Sequence, residues 1–261
     1  MGSGWSLPTG SRGGWPDDYE RGRPAWPREA VDVADIAAGA TVLELGAGTG
    51  KLTRVLVSAF ARVVAMEPED AMRRLLVANC PPAQALAGTA EAIPLSDASA
   101  DAVFAAEAFH RFERERALTE IARVLRPRGA LVLMWNLPAG PTEPSIAAAE
   151  DFLHDRSPDR DELGYDPLDL NTTVYESGEW RRAFANAPFE ELREIRLPNP
   201  QTIDRNGLVA FFASMGWIAE LPDAERLPLL EAVRSRLPDA MFRRRWETHV
   251  YWTRLRAPAV P

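Results

Sequence analysis

Three glycines fall within five residues, Gly46-Ala47-Gly48-Thr49-Gly50, directly after the apolar run Thr41–Leu45. A glycine-rich turn after the first strand of a doubly wound sheet lets a ligand lie close against the backbone at the mouth of the strands. Two carboxylates bracket that turn. Glu67 stands 21 residues after Gly46, at the end of a second apolar run, where it can accept hydrogen bonds from both hydroxyls of a ribose. Glu44 stands ahead of the first glycine, where it would repel a pyrophosphate and welcome an α-amino group. The pair predicts a nucleoside-containing cofactor. The spacing is G-x-G-x-G, with Lys51 in the sixth place, whereas a dinucleotide site wants its third glycine there. The combination suits S-adenosylmethionine better than NAD.

Other residues offer proton or metal chemistry. His110 follows the end of a further apolar run, Asp101–Ala108. An imidazole of ordinary pKa ~6.5 is suited to act as a general base; the alternative is that it caps the next helix or shapes the cofactor pocket. His154 reads as a surface group and His249 as a strand residue. The one cysteine, Cys80, excludes an internal disulfide and a cysteine-based metal cluster. No Asp/Asn group at a strand tip suggests a divalent ion, so metal-independent chemistry is expected. Asn79-Cys80-Pro81-Pro82 lacks the order and place of the signature found in amino-methylating nucleic-acid enzymes.

The elements that must position these residues follow from periodicity. Apolar runs at Thr41–Leu45, Arg62–Met66, Ala83–Gly88, Asp101–Ala108 and Ala130–Trp135 alternate with amphipathic stretches. One such stretch carries Leu52, Val55, Leu56 and Ala59; another carries Leu118, Ile121, Ala122 and Leu125. Runs without internal alternation are what strands covered on both faces look like, so the pattern argues for βαβ units and a mostly parallel sheet. Arg28 to Ala37 has a helical pattern, and Arg126-Pro127-Arg128-Gly129 stops the helix before the fifth run. Residues 1–18 read as a flexible lead-in and Tyr19 to Pro27 as turn-forming. After Asn136 the rhythm breaks into a proline- and acid-rich stretch, and strand-like alternation returns at Glu190–Leu197 and Trp246–Leu255. Between those two lie helical stretches at Gly207–Leu221 and around Leu227–Leu237.

The chain has 261 residues, 46% of them hydrophobic and 26% charged, which is ample for a buried core and excludes a disordered or fibrous protein. The net charge of −8 disfavours a phosphate backbone as ligand. No stretch approaches the ~18 consecutive apolar residues of a membrane span, and the first residues lack a signal-peptide core, so a soluble cytoplasmic protein without nucleic-acid or membrane partners is expected.

VLELGAGTG (42–50), VVAMEP (63–68), GTAEAIPL (88–95), DAVFAAEAFHRF (101–112) and IARVLRPRGALVLMWN (121–136) resemble, in order and spacing, the class I S-adenosylmethionine-dependent methyltransferases of the type 11 kind. YERGRPAWP and the AFHRF segment further resemble the branch of trans-aconitate methyltransferase-like enzymes. The resemblance implies an α/β Rossmann-like fold, a seven-stranded mostly parallel sheet with helices on both faces, and a helical cap or insertion. Trp246–Leu255 would be the reversed strand beside the fifth. It implies a lead-in and cofactor-covering segment at 1–27, a cofactor core at 28–136, a helical cap at 137–188, and closing strands with a helical lid at 189–261, all in one structural domain.

It also implies site roles. Glu44 and the loop Gly46, Ala47, Gly48, Thr49 and Gly50 would hold the methionine portion, and Glu67 the ribose. Pro68 and Met72 would pack near the adenine, with Ala90 and Glu91 at its polar edge. Glu107 and Ala108 would lie beside the sulfonium and the methyl, and Tyr19 and Arg23 would close over the cofactor, with Arg23 facing the methionine carboxylate. Glu107, Arg111 and Arg128 depart from frequent family residues: an uncharged group, a tryptophan and a glycine respectively. Apart from the resemblance, Trp135, Trp217, Trp180 and Tyr251 are candidate walls of the acceptor pocket by residue type, with core packing as the alternative for each. The expected activity is methyl transfer to a small organic molecule, at oxygen first, with nitrogen or carbon as alternatives. An NAD(P)-dependent oxidoreductase and a non-catalytic cofactor-binding protein are the readings from other classes.

Overall fold

The computed structural model describes residues 15–158, 175 and 177–257. Its strands are β1 (Thr41–Leu45), β2 (Arg62–Met66), β3 (Gln84–Leu86), β4 (Ala100–Ala106), β5 (Leu125–Pro138), β6 (Arg193–Asp204) and β7 (Met241–Arg254). They form one sheet in the order β3-β2-β1-β4-β5-β7-β6. The first five run parallel, and β7 lies antiparallel to both β5 and β6. The reversed strand is therefore inserted next to β5, as the family resemblance implies.

Each central strand sends alternate residues to opposite faces, and both faces are covered. Val42, Phe104, Val132 and Met134 pack with Val31, Leu52 and Leu56 from α2 (Glu29–Asp32) and the α3 region (α3, Thr53–Ala59). Leu43, Leu45, Val103 and Leu133 pack with Leu118 and Ile121 of α5 (Arg114–Val124). With no solvent face there is no polar alternation, which is why these strands read as uninterrupted apolar runs. Between β2 and β3 runs α4 (Asp70–Asn79), with Met72 and Leu76 buried.

A third cluster sits over the far half of the β6–β7 ribbon. It joins Ile146 of α6 (Pro144–His154), Phe211 and Phe212 of α7 (Arg205–Ala213), Trp217 of α8 (Gly216–Glu220), Val233 of α9 (Asp223–Arg236), and Phe242 and Trp246 of β7. The stretch Phe211–Trp217 is thus buried packing.

Two expectations are corrected. The segment read as lead-in and turn holds a helix, α1 (Trp15–Gly22), with Pro16 near its start and Asp17 and Asp18 in its first turn. Its apolar residues Trp15, Pro16 and Tyr19 share one face, but eight residues are too few to stand out after a glycine- and proline-rich lead-in, and tertiary packing supplies the stability. A Cβ built on Gly22 would lie 2.2 Å from the Phe211 backbone nitrogen, so α1 ends with its backbone directly on α7. The helix expected over Arg28 to Ala37 is shorter, confined to α2, and Asp35 at φ 45° takes the chain out of it. Residues 1–14 of the lead-in, and residues 159–174 and 176 of the cap, lie outside the described residues.

Candidate functional site

The loop after β1 turns through Gly46, Gly48 and Gly50 at φ +69°, +57° and +91°. A Cβ on Gly48 would meet nothing closer than the Tyr19 ring at 3.9 Å, so the loop is a shallow cradle roofed by that ring. The Gly48 N–H donates to Glu67 Oε2 (2.8 Å) and the Glu69 N–H to Glu67 Oε1 (2.9 Å). Each carboxylate oxygen has a second lone pair to accept with, the provision two vicinal hydroxyls need. Burial of Glu67 nonetheless raises its pKa, against the lowering effect of those backbone donors.

Glu44 is 2% exposed and accepts from the Thr53 hydroxyl at 2.6 Å. No cation pairs with it among the described residues. Burial pushes its carboxyl up to about 8, the Thr53 hydrogen bond opposing and the Glu67 charge adding to the rise. A buried acid beside a glycine cradle, short of a positive partner, fits a ligand that carries an ammonium and does not fit a pyrophosphate.

Helix α1 closes over this loop. Thr49 Oγ1 donates to Glu20 Oε2 (2.5 Å), and Arg54 Nη2 donates to Glu20 Oε1 (2.6 Å). Arg23 donates from Nε to Ser214 Oγ (2.9 Å) and stands 5.1 Å over the Phe211 ring. Gln201 Nε2 donates to the Gly22 carbonyl (3.0 Å) and Asn199 Nδ2 to the Ala25 carbonyl (2.8 Å), which ties the same segment to β6. Of the residues expected on the adenine side, Met72 and Ala90 are buried, Pro68 is exposed at the β2 end, and Glu91 Oε1 accepts from the Glu113 N–H at 2.9 Å.

At the β4 tip Glu107 adopts a left-handed backbone, φ 51°, and its Oε1 accepts from the Asn136 N–H at 2.7 Å. A non-glycine residue held there costs of order 1–2 kcal/mol, and the bend is what turns this carboxylate back onto the end of β5. Ala108 is buried; its Cβ would be 2.8 Å from a Cβ placed on Gly46, so the β1 loop and the β4 tip touch.

The comparisons agree with this geometry. A methyltransferase-domain family profile matches residues 43–133, from β1 into β5. A methyltransferase-like protein of Schizosaccharomyces pombe is 34% identical over 214 residues, 80% of this chain and 78% of that protein. The chain belongs to the class I S-adenosylmethionine-dependent methyltransferases. An uncharacterised methyltransferase of Mycobacterium tuberculosis is 54% identical over 118 residues, 45% of this chain and 49% of that protein, so this match spans about half the relative's length. A solved structure described as a type II methyltransferase from Anaeromyxobacter dehalogenans is 25% identical, with TM-score 0.63, over 90% of this chain and 99% of that one. The cofactor of this methyltransferase is therefore S-adenosylmethionine, and the oxidoreductase reading falls away.

Most of the residues expected to wall an acceptor pocket come together. Trp135 and Tyr251, 1% and 2% exposed, sit with ring centroids 6.1 Å apart in a cluster with Trp180 and Tyr175. Trp217 is not with them; it packs in the cluster of α6 to α9. His110 lies in a short 3-10 turn, Phe109–Arg111, and its Nδ1 accepts from Trp135 Nε1 at 3.4 Å. Burial, with Arg111 and Arg114 nearby, lowers its pKa to about 3. With Nδ1 already facing an N–H donor, only Nε2 is left for the general-base role expected of it. His154 is exposed, and His249 is a β7 residue as expected but is also 5% exposed and hydrogen-bonded at both ring nitrogens.

Sequence reasoning missed Glu20, Ser214 and Tyr175. Each meets its partner across a long chain separation, and no local spacing signals the contact. Among the described residues no group of three or more His, Cys, Asp or Glu is arranged to hold a metal ion. No helix among them is long and apolar enough to cross a membrane.

Proposed function

We propose that this methyltransferase methylates an oxygen of a small organic acceptor without a metal ion. The observation that carries the reading is the buried aromatic cluster of Trp135, Tyr175, Trp180 and Tyr251, joined to the β4 tip through the Trp135–His110 hydrogen bond. Aromatic rings next to the cofactor side suit a compact, largely apolar acceptor, and the net charge of −8 disfavours a polyanion.

When bound, the cofactor supplies an electrophilic methyl on a sulfonium and a neutral thioether leaving group. The protein's task is alignment and exclusion of water. Glu67 would accept from the ribose hydroxyls while Gly48 and Glu69 keep its carboxylate fixed. Glu44 would ionise against the ammonium, and the Gly46–Gly50 loop, including Ala47 and Thr49, would take the methionine chain. Arg23 keeps N–H donors beyond those given to Ser214 and would turn them to the methionine carboxylate. Tyr19 would cover the loop, Pro68, Met72, Ala90 and Glu91 would bound the adenine, and Ala108 would lie beside the methyl. Glu107, held against Asn136, would place its negative charge near the sulfonium.

The test is transfer of label from methyl-labelled S-adenosylmethionine across a panel of phenols, alcohols, carboxylic acids, amines and thiols. Methyl ethers as products support the reading. Products methylated only at nitrogen or carbon contradict the oxygen assignment.

A further inference from the structure

The β5–β7 register sets Trp135 opposite His249 and Leu133 opposite Tyr251, and the β6–β7 register adds Arg196 and Glu194 on the same two rungs. Side chains two apart on a strand share a face, so His249 and Tyr251 point together toward Tyr175. A line of hydrogen bonds results. Arg181 Nη2 reaches Tyr251 Oη at 2.9 Å, Tyr251 Oη meets Tyr175 Oη, Tyr175 Oη meets His249 Nδ1, and His249 Nε2 reaches Glu247 Oε1 at 2.7 Å.

The carboxylate end fixes the direction at His249. A carboxylate only accepts, so the neutral imidazole carries its proton on Nε2 and presents the Nδ1 lone pair to the Tyr175 hydroxyl. Tyr251 accepts from Arg181 and has two acceptors for its own proton, Tyr175 Oη and the Glu194 carboxylate. An imidazole held by a carboxylate on one nitrogen, with the other facing a hydroxyl, is the arrangement that activates hydroxyl groups in enzymes. The groups facing His249 are Glu247 and Tyr251 from β7, Glu194 and Arg196 from β6, and Tyr175; burial lowers the imidazole's pKa and the Glu247 hydrogen bond opposes it. Its place also suits the reaction. His249 lies two strand spacings, ~10 Å, from the β4 tip, and the Tyr175 ring is 5.6 Å from that of Trp135, which donates to His110.

Resting on the oxygen-methylation reading, we infer that Tyr175, His249 and Glu247 form the proton relay that deprotonates the acceptor. The acceptor hydroxyl gives its proton to Tyr175 Oη as the Tyr175 proton passes to His249 Nδ1. The acceptor O–H bond and the sulfur–methyl bond break, the O–methyl bond forms, and the product state holds an imidazolium against the Glu247 carboxylate. Tyr175 is the catalytic residue of the relay; His249 and Glu247 act through it.

A base matters only for an acceptor that arrives protonated. Phenol and pentafluorophenol, the latter already ionised at neutral pH, therefore separate the relay from a packing role. Tyr175→Phe and His249→Asn are expected to lower kcat/KM for phenol about 100-fold. They should change pentafluorophenol turnover less than threefold and leave cofactor affinity unchanged. The rising limb of the pH profile for phenol should vanish in His249→Asn. Tyr175→Phe keeps the ring and its packing, so a merely structural role would lower both substrates equally, and that result overturns the relay. Label transfer to thiols or carboxylic acids but to neither phenol also overturns it while leaving the methyltransferase reading intact. No transfer to any class of acceptor contradicts that reading itself, and the relay with it.

Discussion

The backbone N–H of Gly48 donates to Oε2 of Glu67 across 2.8 Å, which makes the turn after β1 and the acid after β2 one unit. A cofactor that touches either must fit both. The second buried acid, Glu44, completes the set: its carboxyl has no cationic partner among the described residues, and burial pushes its pKa up to about 8.

Glu44 should link both stability and cofactor affinity to pH. Its folded-state pKa is raised from 4.5 to about 8, so the stability it confers is present below the unfolded value and is lost as pH rises through about 8. The melting temperature of the cofactor-free protein should accordingly fall between pH 5 and pH 8 by more than in Glu44→Gln. Affinity for S-adenosylmethionine should run the other way. An ammonium partner favours the ionised acid, so Kd should drop by up to about tenfold per pH unit between pH 6 and pH 8. Calorimetry on both proteins checks this, with Glu44→Gln expected to be weaker and nearly pH-independent.

Gly22→Ala should undock α1. The added methyl would stand 2.2 Å from the Phe211 nitrogen, and backbone cannot yield as a side-chain end can. A loss of about 1–3 kcal/mol is expected. Cofactor affinity should fall with it, because Tyr19 and Glu20 would leave the glycine loop. Thermal melting, with limited proteolysis at residues 15–27, measures both effects.

Arg128 occupies the left-handed region at φ 65° in the turn before β5. Arg128→Gly should relieve a strain of about 1 kcal/mol, raising the melting temperature by about 2 °C with no change in kcat. The loop's hydrogen bond from Arg254 Nη1 to the residue 128 carbonyl uses backbone and survives the change.

His110→Asn should lower kcat by less than tenfold and leave the limbs of the pH profile where they are. With a pKa of about 3, His110 is neutral throughout the working range. Loss of a general base would cost 10²–10⁴ instead, and steady-state kinetics from pH 6 to pH 9 distinguishes the two.

Where a residue's partners are local, the sequence announced them. β1 and β2 have the bounds their apolar runs suggest, because strands buried on both faces carry no competing signal. The Gly46–Gly50 turn and Glu67 meet because parallel β1 and β2 end side by side. Helix α1 was hidden because WPDDYERG makes only about two turns behind a glycine- and proline-rich lead-in, and its packing partner α7 comes nearly 200 positions later. The His249–Tyr175 contact was hidden for a related reason. Antiparallel register and a distant segment bring those rings together, while Tyr175 itself stands in a stretch with no periodicity to mark it. Trp217 misled because a large aromatic in an apolar helix suits a pocket wall and a buried cluster equally well, and here the cluster took it.

The most direct test of the account is calorimetric titration of the wild type and of Glu67→Ala with S-adenosylmethionine and, separately, with NADPH. The account predicts one-to-one binding of S-adenosylmethionine by the wild type, weakened at least tenfold in Glu67→Ala, and no heat from NADPH. Tight NADPH binding without a response to S-adenosylmethionine would contradict it.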